Sequence, residues 1–335
     1  MKYDIYGIGN ALVDKEFEVS DEFLQTEAIE KGMMSLIDET QQIKLLQQLE
    51  QRFGLKKQAG GGSAANSMVA ASQFGAKTFY ACKVANDETG VFYQKDLLAA
   101  GVTTGLEQLE LSDQGLTGKC MVMVTPDAER TMNTFLGITA DFCEDELHLD
   151  QLQQAKYLYI EGYLVTSDVS RTAAIKARET AQANNIKVAM TFSDPAMVTY
   201  FKDNMVEMIG EHIDILFGNE EECMTFTATD NLKDAITILQ KVADKLVITL
   251  GSKGAMVIDV GQQISIAAQA VNAIDTNGAG DMFAGAFMYG TSQGWSDEKS
   301  AQLANSAAAE IVSIFGARLS AEIHQKLLAS VNATK

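Results

Sequence analysis

Between Tyr157 and Leu250 the chain alternates short, almost wholly apolar runs with amphipathic stretches, and this alternation restricts the fold more than any other feature. Strands are expected at Tyr157 to Glu161, Lys187 to Phe192, Ile213 to Phe217 and Leu246 to Leu250, with helices at Asp168 to Asn184 and Leu232 to Ala243. Strands joined through helices run parallel, because a tight hairpin cannot return the chain in the same direction. Strands without a polar side have no face to give to water and must be covered on both. With right-handed crossovers the expected outcome is an α/β fold, a three-layer, doubly wound, mostly parallel sheet. In such sheets ligands bind beyond the carboxyl ends of the strands.

The N-terminal part adds a first strand, Tyr3 to Gly9, a helix from about Ala64 to Phe74 and a strand at Thr78 to Val84. Gly7-Ile8-Gly9-Asn10-Ala11-Leu12 begins like a dinucleotide fingerprint, but Leu12 stands where close helix packing needs the third glycine, which argues against a nicotinamide enzyme. Glu39 to Phe53 is an amphipathic helix, capped by Asp38 and stopped by Gly54, with Ile43, Leu46, Leu49 and Phe53 expected on the core. Two segments break the alternation. Residues 15–37 mix strand-like pieces (Phe17-Glu18-Val19 and Met33 to Ile37) with a helical patch near Ser20 to Glu30, and residues 102–137 read as a hairpin, Gly118 to Thr125 and Arg130 to Leu136, around Pro126-Asp127-Ala128-Glu129. Together they are expected to form a small β-rich lid on a single domain spanning 1–335.

Composition narrows the function. Lysines and arginines number 26 against 45 acids, a net charge of −19, with no basic run, so polyanions such as DNA and RNA are repelled. A nucleotide is still allowed, because a local nest of amides with Mg²⁺ outweighs a distant, salt-screened surface. Cys82, Cys120, Cys143 and Cys223 and the three histidines, His148, His212 and His324, show no ligand spacing, so reduced thiols and no structural zinc are expected. Without a leader-like N-terminus or a run of 18 apolar residues, the expectation is a cytoplasmic protein that does not engage membranes, a monomer or homodimer.

The chemistry concentrates at Asp275-Thr276-Asn277-Gly278-Ala279-Gly280-Asp281, followed by an apolar helix-like run to Met288. A glycine-rich turn at a helix start presents backbone N–H groups and a positive dipole end, which suits a phosphoryl group. A carboxylate is no anion ligand, so Asp281 there points to a general base that takes the proton of an attacking hydroxyl; a plain helix cap and chain reversal is the competing reading.

Asp14, just beyond the first strand, is placed to accept two hydroxyls of a vicinal diol, or is a solvated turn residue. Gly60-Gly61-Gly62 before a helix lets a ligand approach the backbone, with Asn66 to donate to and accept from hydroxyls; no Gly-Lys-Ser/Thr phosphate loop occurs. Asn219 and Glu222 share one face of a first turn, either as an acidic helix start or as an outer shell for Mg²⁺. Thr249 and the amides of Gly251 and Gly254 face nucleotide phosphates or form a tight loop. Arg130 either clamps a transferring phosphoryl group or pairs with a carboxylate.

In this order the segments resemble the ribokinase, or phosphofructokinase-B, family of carbohydrate kinases, over essentially the whole chain. Gly60 to Gly90 resembles its N-terminal signature, and Asp275 to Met288, with Gly-Ala-Gly-Asp, its C-terminal one. The resemblance implies a ribokinase-like fold with Asp281 as catalytic base, an anion hole at Gly278, Ala279 and Gly280, Asn219 and Glu222 tied to Mg²⁺ and phosphate, and Asp14, Gly62 and Asn66 on substrate hydroxyls. It also implies K⁺ held near Asp275, with carbonyls around Gly316 as candidate further ligands.

Gly9-Asn10-Ala11-Leu12-Val13-Asp14, Gly61-Gly62-Ser63 with Asn66-Ser67, Phe217-Gly218-Asn219-Glu220 and Asp275-Thr276-Asn277 resemble the adenosine kinases more than the ribokinases. One departure stands out: the Ala-Pro-Phe segment whose ring stacks on adenine is replaced by Asp194-Pro195-Ala196-Met197, at a cost of roughly 1 to 3 kcal/mol of stacking, leaving Phe135 and Tyr163 as replacement rings. The implied function is Mg-ATP-dependent phosphorylation of a primary hydroxyl of a ribonucleoside, adenosine first. The alternatives are a kinase for a free sugar (ribose, fructose or a ketodeoxy acid) and a non-catalytic nucleotide or sugar sensor, which should have lost Asp281.

Overall fold

The computed structural model describes residues 1–106, 115–127 and 129–333; the tip of the expected hairpin at Ala128 and the stretch 107–114 lie outside them. Fourteen strands are formed among these residues: β1 Tyr3–Ile8, β2 Leu12–Glu18, β3 Met34–Leu36, β4 Lys57–Gly61, β5 Thr78–Ala81, β6 Thr103–Thr104, β7 Gly118–Val124, β8 Arg130–Phe135, β9 Ala155–Ile160, β10 Lys187–Thr191, β11 Ile213–Asn219, β12 Ala243–Thr249, β13 Ala255–Asp259 and β14 Gln262–Ile266. Nine make one sheet in the order β14-β13-β12-β11-β10-β9-β1-β5-β6, parallel except for the antiparallel edge β12-β13-β14.

Alternate residues along its central strands enter separate cores. Leu158 and Ile160, Val188 and Met190, and Leu246 and Ile248 face one side, while Tyr159, Ala189 and Val247 face the other. The first side is closed by the helices 168–183, 195–200, 202–209, 220–227 and 232–239, and the second by 63–74, 279–292, 297–311 and 321–333. This is the expected three-layer arrangement. It explains why the strands read as unbroken apolar runs.

The second sheet has the order β3-β8-β7-β2-β4, with β2 parallel to β7 and antiparallel to β4. It takes in β4, whose Lys-Gln-Ala-Gly-Gly sequence has no strand-like pattern, and it starts β2 at Leu12, so Asp14 lies within a strand rather than in a turn after β1. Thr103 and Thr104, in contrast, pair with β5 at the edge of the main sheet.

One face of the second sheet packs Phe17, Met121 and Met123 onto Phe23, Leu24, Leu45 and Leu49. The helix Glu39–Arg52 has the expected Asp38 cap, completed by Gln41. Its buried stripe runs through Gln42, Leu45 and Leu49, which leaves Ile43 exposed instead of on the core. The helix Glu88–Ala99 carries no expectation from the sequence; Asp87 caps it. Among the described residues no helix is long and apolar enough to cross a membrane.

Candidate active site

The helices Ser63–Phe74 and Ala279–Ser292 pack side by side, because small residues let their backbones approach. Any Cβ on Gly285 would meet the Ser67 carbonyl and Ala70. Their N-termini consequently converge. Asp281, in the first turn of the second helix, accepts a hydrogen bond from Ser63 Oγ (2.6 Å) on one carboxylate oxygen and from Asn66 Nδ2 (3.0 Å) on the other. Each oxygen keeps lone pairs for a further donor. Desolvation raises the Asp281 pKa to about 6, opposed by the Ser63 and Asn66 hydrogen bonds and by Arg318. That value suits a group that must be ionised near neutrality and still take up a proton.

Gly278, at φ +74°, is the N-cap of this helix, and a Cβ on it would stand 2.6 Å from that of Ala317. Gly280 borders the open cleft, and a Cβ placed on it would have no neighbour within 4 Å. The turn therefore offers an uncluttered helix N-terminus beside Asp281, the geometry an anion needs.

A cleft of about 380 Å³ spans this turn, the carboxyl ends of the main-sheet strands and the inner face of the second sheet. Of the residues singled out in the sequence, Asp14, Gly62, Asn66, Asn219, Glu222, Thr249, Gly278, Gly280 and Asp281 all border it. Gly62, at φ +93°, passes so close to the Asn10 carbonyl that no side chain fits. Gly60 and Gly61 serve differently from the ligand approach expected of them. A Cβ on Gly61 would overlap the Asp14 carboxylate, and one on Gly60 the Asp96–Arg318 pair, so both glycines make room for side chains.

Asp14 is raised to about 7 by desolvation, against the pull of Arg318 and Arg130. Its place in β2 sets it in a cross-strand row with Cys120, Thr134 and Leu36, while the next row holds Val122, Met132 and Met34. Leu12, Met34, Leu36, Cys120, Met132 and Leu136 give the cleft an apolar wall on that sheet.

Asn219 and Glu222 form a capping box: Asn219 N–H donates to Glu222 Oε2 and Glu222 N–H to Asn219 Oδ1, both at 2.8 Å. The acidic helix start is formed, with Asn219 as its N-cap, and Glu222 also borders the cleft. Desolvation, and beyond it Asp194 and Glu221, lift Glu222 to about 7, so a buried carboxylate awaits positive charge. This donor set fits Mg²⁺, which keeps its waters and takes few protein oxygens.

Asp275, near which potassium is expected, already has partners in the protein. Its carboxylate pairs with the Arg130 guanidinium, and accepts from the amides of Asn277 (2.9 Å) and Gly316 (2.7 Å). The neighbouring Phe315 carbonyl accepts from the Lys57 ammonium at 3.2 Å. Arg130 is thus the carboxylate partner of the two expected readings; Glu16 lies 3.7 Å from it as well.

Thr249 ends β12 at the cleft, but Gly251 and Gly254 do not reach it, and Gly254 is required because Ile266 O passes where its side chain would stand. Of the two candidate rings, Tyr163 borders the cleft, its hydroxyl 3.4 Å from Asp194 Oδ2, alongside Met197. Phe135 lines a different cavity, with Lys83 and Ile138.

The sequence reading gives no role to three residues of this polar network. Glu161, buried at the end of β9, accepts from Asn10 N–H (3.2 Å), Asn10 Nδ2 (3.1 Å) and Ala64 N–H (2.8 Å), and desolvation lifts it to about 7. A carboxylate closing an apolar strand at its crevice end was the available signal. Ser63 stands in the Gly-Gly-Ser segment that resembles the adenosine kinases, with no role read for it there, and Arg318 carries no local signal.

Residues 28–324 match the family described as "pfkB family carbohydrate kinase". Adenosine kinase 2 of Arabidopsis thaliana is 29% identical over 306 residues, 85% of this chain and 86% of its own. The crystal structure of adenosine kinase from Sinorhizobium meliloti is similar with a TM-score of 0.89 and 31% identity, covering 100% of both chains. A probable sugar kinase from Rhizobium etli CFN 42 has 29% identity and a TM-score of 0.89, covering 98% of this chain and 99% of that one.

Proposed function

Because the chain belongs to the pfkB family of carbohydrate kinases, and is therefore a kinase with the ribokinase-like α/β fold, we propose that it transfers the γ-phosphoryl group of ATP to the primary hydroxyl of a ribonucleoside, adenosine first. The observation that carries this reading is the inner face of the second sheet, where a carboxylate and an apolar wall share one surface. From β2 to β3 is three strand spacings, about 14 Å, enough for a ribose at Asp14 and a flat base over Cys120, Met132 and Met34. A free sugar would leave that wall without a partner.

Asp14 and Asn66 take the ribose hydroxyls and orient the sugar. Asp281 accepts the proton of the primary hydroxyl as it attacks, its hydrogen bonds from Ser63 and Asn66 holding the carboxylate still. Amides at Gly278, Ala279 and Gly280, with the helix dipole behind them, stabilise the charge that grows on the phosphoryl oxygens. Asn219, Glu222 and Thr249 stand on the side where the nucleotide phosphates would lie. Glu222 would hold Mg²⁺ there, and the ion would supply charge neutralisation of those phosphates. The second sheet acts as a lid that excludes water from the acceptor.

The test is ADP release with ATP and Mg²⁺ across adenosine, inosine, guanosine, ribose, fructose and 2-keto-3-deoxygluconate, with the phosphorylated position read by NMR. A nucleoside 5′-phosphate is the expected product. Turnover of a free sugar at higher kcat/KM than every nucleoside would replace this reading with the sugar-kinase one.

A further inference from the structure

We propose that Arg318 is a positioning residue for the base, fixing the Asn66 amide and favouring the ionised form of Asp281. The inference rests on the assignment of Asp281 as base. Arg318 lies two residues beyond Gly316, in the segment before the last helix, Ala321–Ala333. Its Nε donates to Asn66 Oδ1 at 2.9 Å, and its Nη1 pairs with Asp96. A donor on that side of Asn66 forces the amide oxygen there and turns the NH₂ toward Asp281, which it reaches at 3.0 Å. The chain of contacts Asp96–Arg318–Asn66–Asp281 thus links the helix Glu88–Ala99 to the turn where the phosphoryl group is held.

Without Arg318, Asn66 is free to flip. An amide oxygen beside Asp281 would oppose its ionised form, where the NH₂ now favours it. The groups that face Asp281 are Ser63 and Asn66 from the first helix, Asp14 from β2, Tyr159 and Glu161 at β9, Tyr163 beyond it, and Arg318. Arg318 is the cation in this group, set against three carboxylates. Gly60 has the same logic, since a side chain there would displace the Asp96–Arg318 pair. A purely structural clamp between two segments would hold Asp96 equally well, but it would not need the Nε contact to Asn66.

The experiment is the pH dependence of kcat/KM from pH 5 to 9, with Mg-ATP and adenosine, for the wild type, Arg318→Met, Arg318→Lys and Asp96→Asn. A base whose ionised form loses support titrates higher, so activity is lost first at low pH. Arg318→Met is expected to move the acid limb up by roughly one unit, a loss of about fivefold at pH 6 that approaches about tenfold at pH 5 and vanishes by pH 9. Arg318→Lys recovers most of the shift by restoring charge, and Asp96→Asn leaves the limb in place. Should Arg318→Met not fold, by circular dichroism and thermal melting, Arg318→Gln is read the same way. An unmoved acid limb, with equal loss at every pH or none, makes Arg318 a structural clamp and overturns the proposal. Asp281→Asn is run beside them: if it keeps near wild-type activity, the assignment of the base itself has failed, a result distinct from an unmoved limb.

Discussion

The cleft has two sides built on opposite principles. On the main-domain side, the functional groups are polar and mutually bonded: Glu161 with three donors, Asp281 with two, Glu222 in its capping box. On the second-sheet side Asp14 is the charged group of the cleft lining; its row holds Cys120, Thr134 and Leu36, and the next row Met132 and Met34. A fixed polar network stabilises charge at one point and tolerates no misplacement, which is what a transfer reaction needs. A wall of thioether and aliphatic side chains adapts to shape and sets only approximate preferences. On the proposed function, chemistry belongs to the first side and choice of acceptor to the second.

The comparison is broken most severely at Asp281. Asp281→Asn is expected to fold and to lose about 10² to 10⁴ in kcat, with ATP affinity from calorimetry changed by less than about twofold. Rates within about threefold of wild type would move the base elsewhere. Asp14→Ala should weaken acceptor binding by about 2 to 3 kcal/mol, because the ribose hydroxyls lose a charged partner, while nucleotide binding stays level. Equal losses for both ligands would place Asp14 in the shared framework instead of the acceptor side.

A stability measurement sharpens the same contrast. Desolvation lifts Asp14 from 3.8 to about 7 in the folded protein, so between those values the native state holds a proton that the unfolded chain has released. The contribution of this group to stability is therefore most favourable below pH 4 and declines as pH rises to 7. Asp14→Asn removes the cost of a buried charge: the empty protein should gain on the order of 2 kcal/mol at pH 8 and nothing near pH 4, by urea unfolding. A gain confined to acid pH would reverse the assigned environment of Asp14.

What was legible in the sequence was local. The alternation after Tyr157 reports its own layers, and Asp275 to Asp281 carries turn, helix start and the carboxylate proposed as base in seven consecutive residues. The rest depends on partners far along the chain. Arg130 meets Asp275 across 145 positions and Arg318 meets Asn66 across 252, so neither role has a pattern to read. β4 pairs with β2 although Gly60 and Gly61 weaken any strand signal, because the space they leave is filled by Asp96, Arg318 and Asp14. Ile43 has helical spacing yet faces water, since the second sheet fixes which stripe of its helix is covered, through Leu45 and Leu49.

The smallest expected effect tests the division of labour most directly. The quantity is kcat/KM for adenosine divided by that for ribose, measured in the wild type and in Met132→Ser, which makes the apolar wall polar without touching Asp14, Asn66 or Asp281. The ratio should fall about three- to tenfold, the worth of roughly 1 kcal/mol of lost apolar contact with the base, while the value for ribose stays the same. If both values fall together and the ratio holds, the second sheet does not select the acceptor through that wall, and the two sides of the cleft are not divided as their side chains suggest.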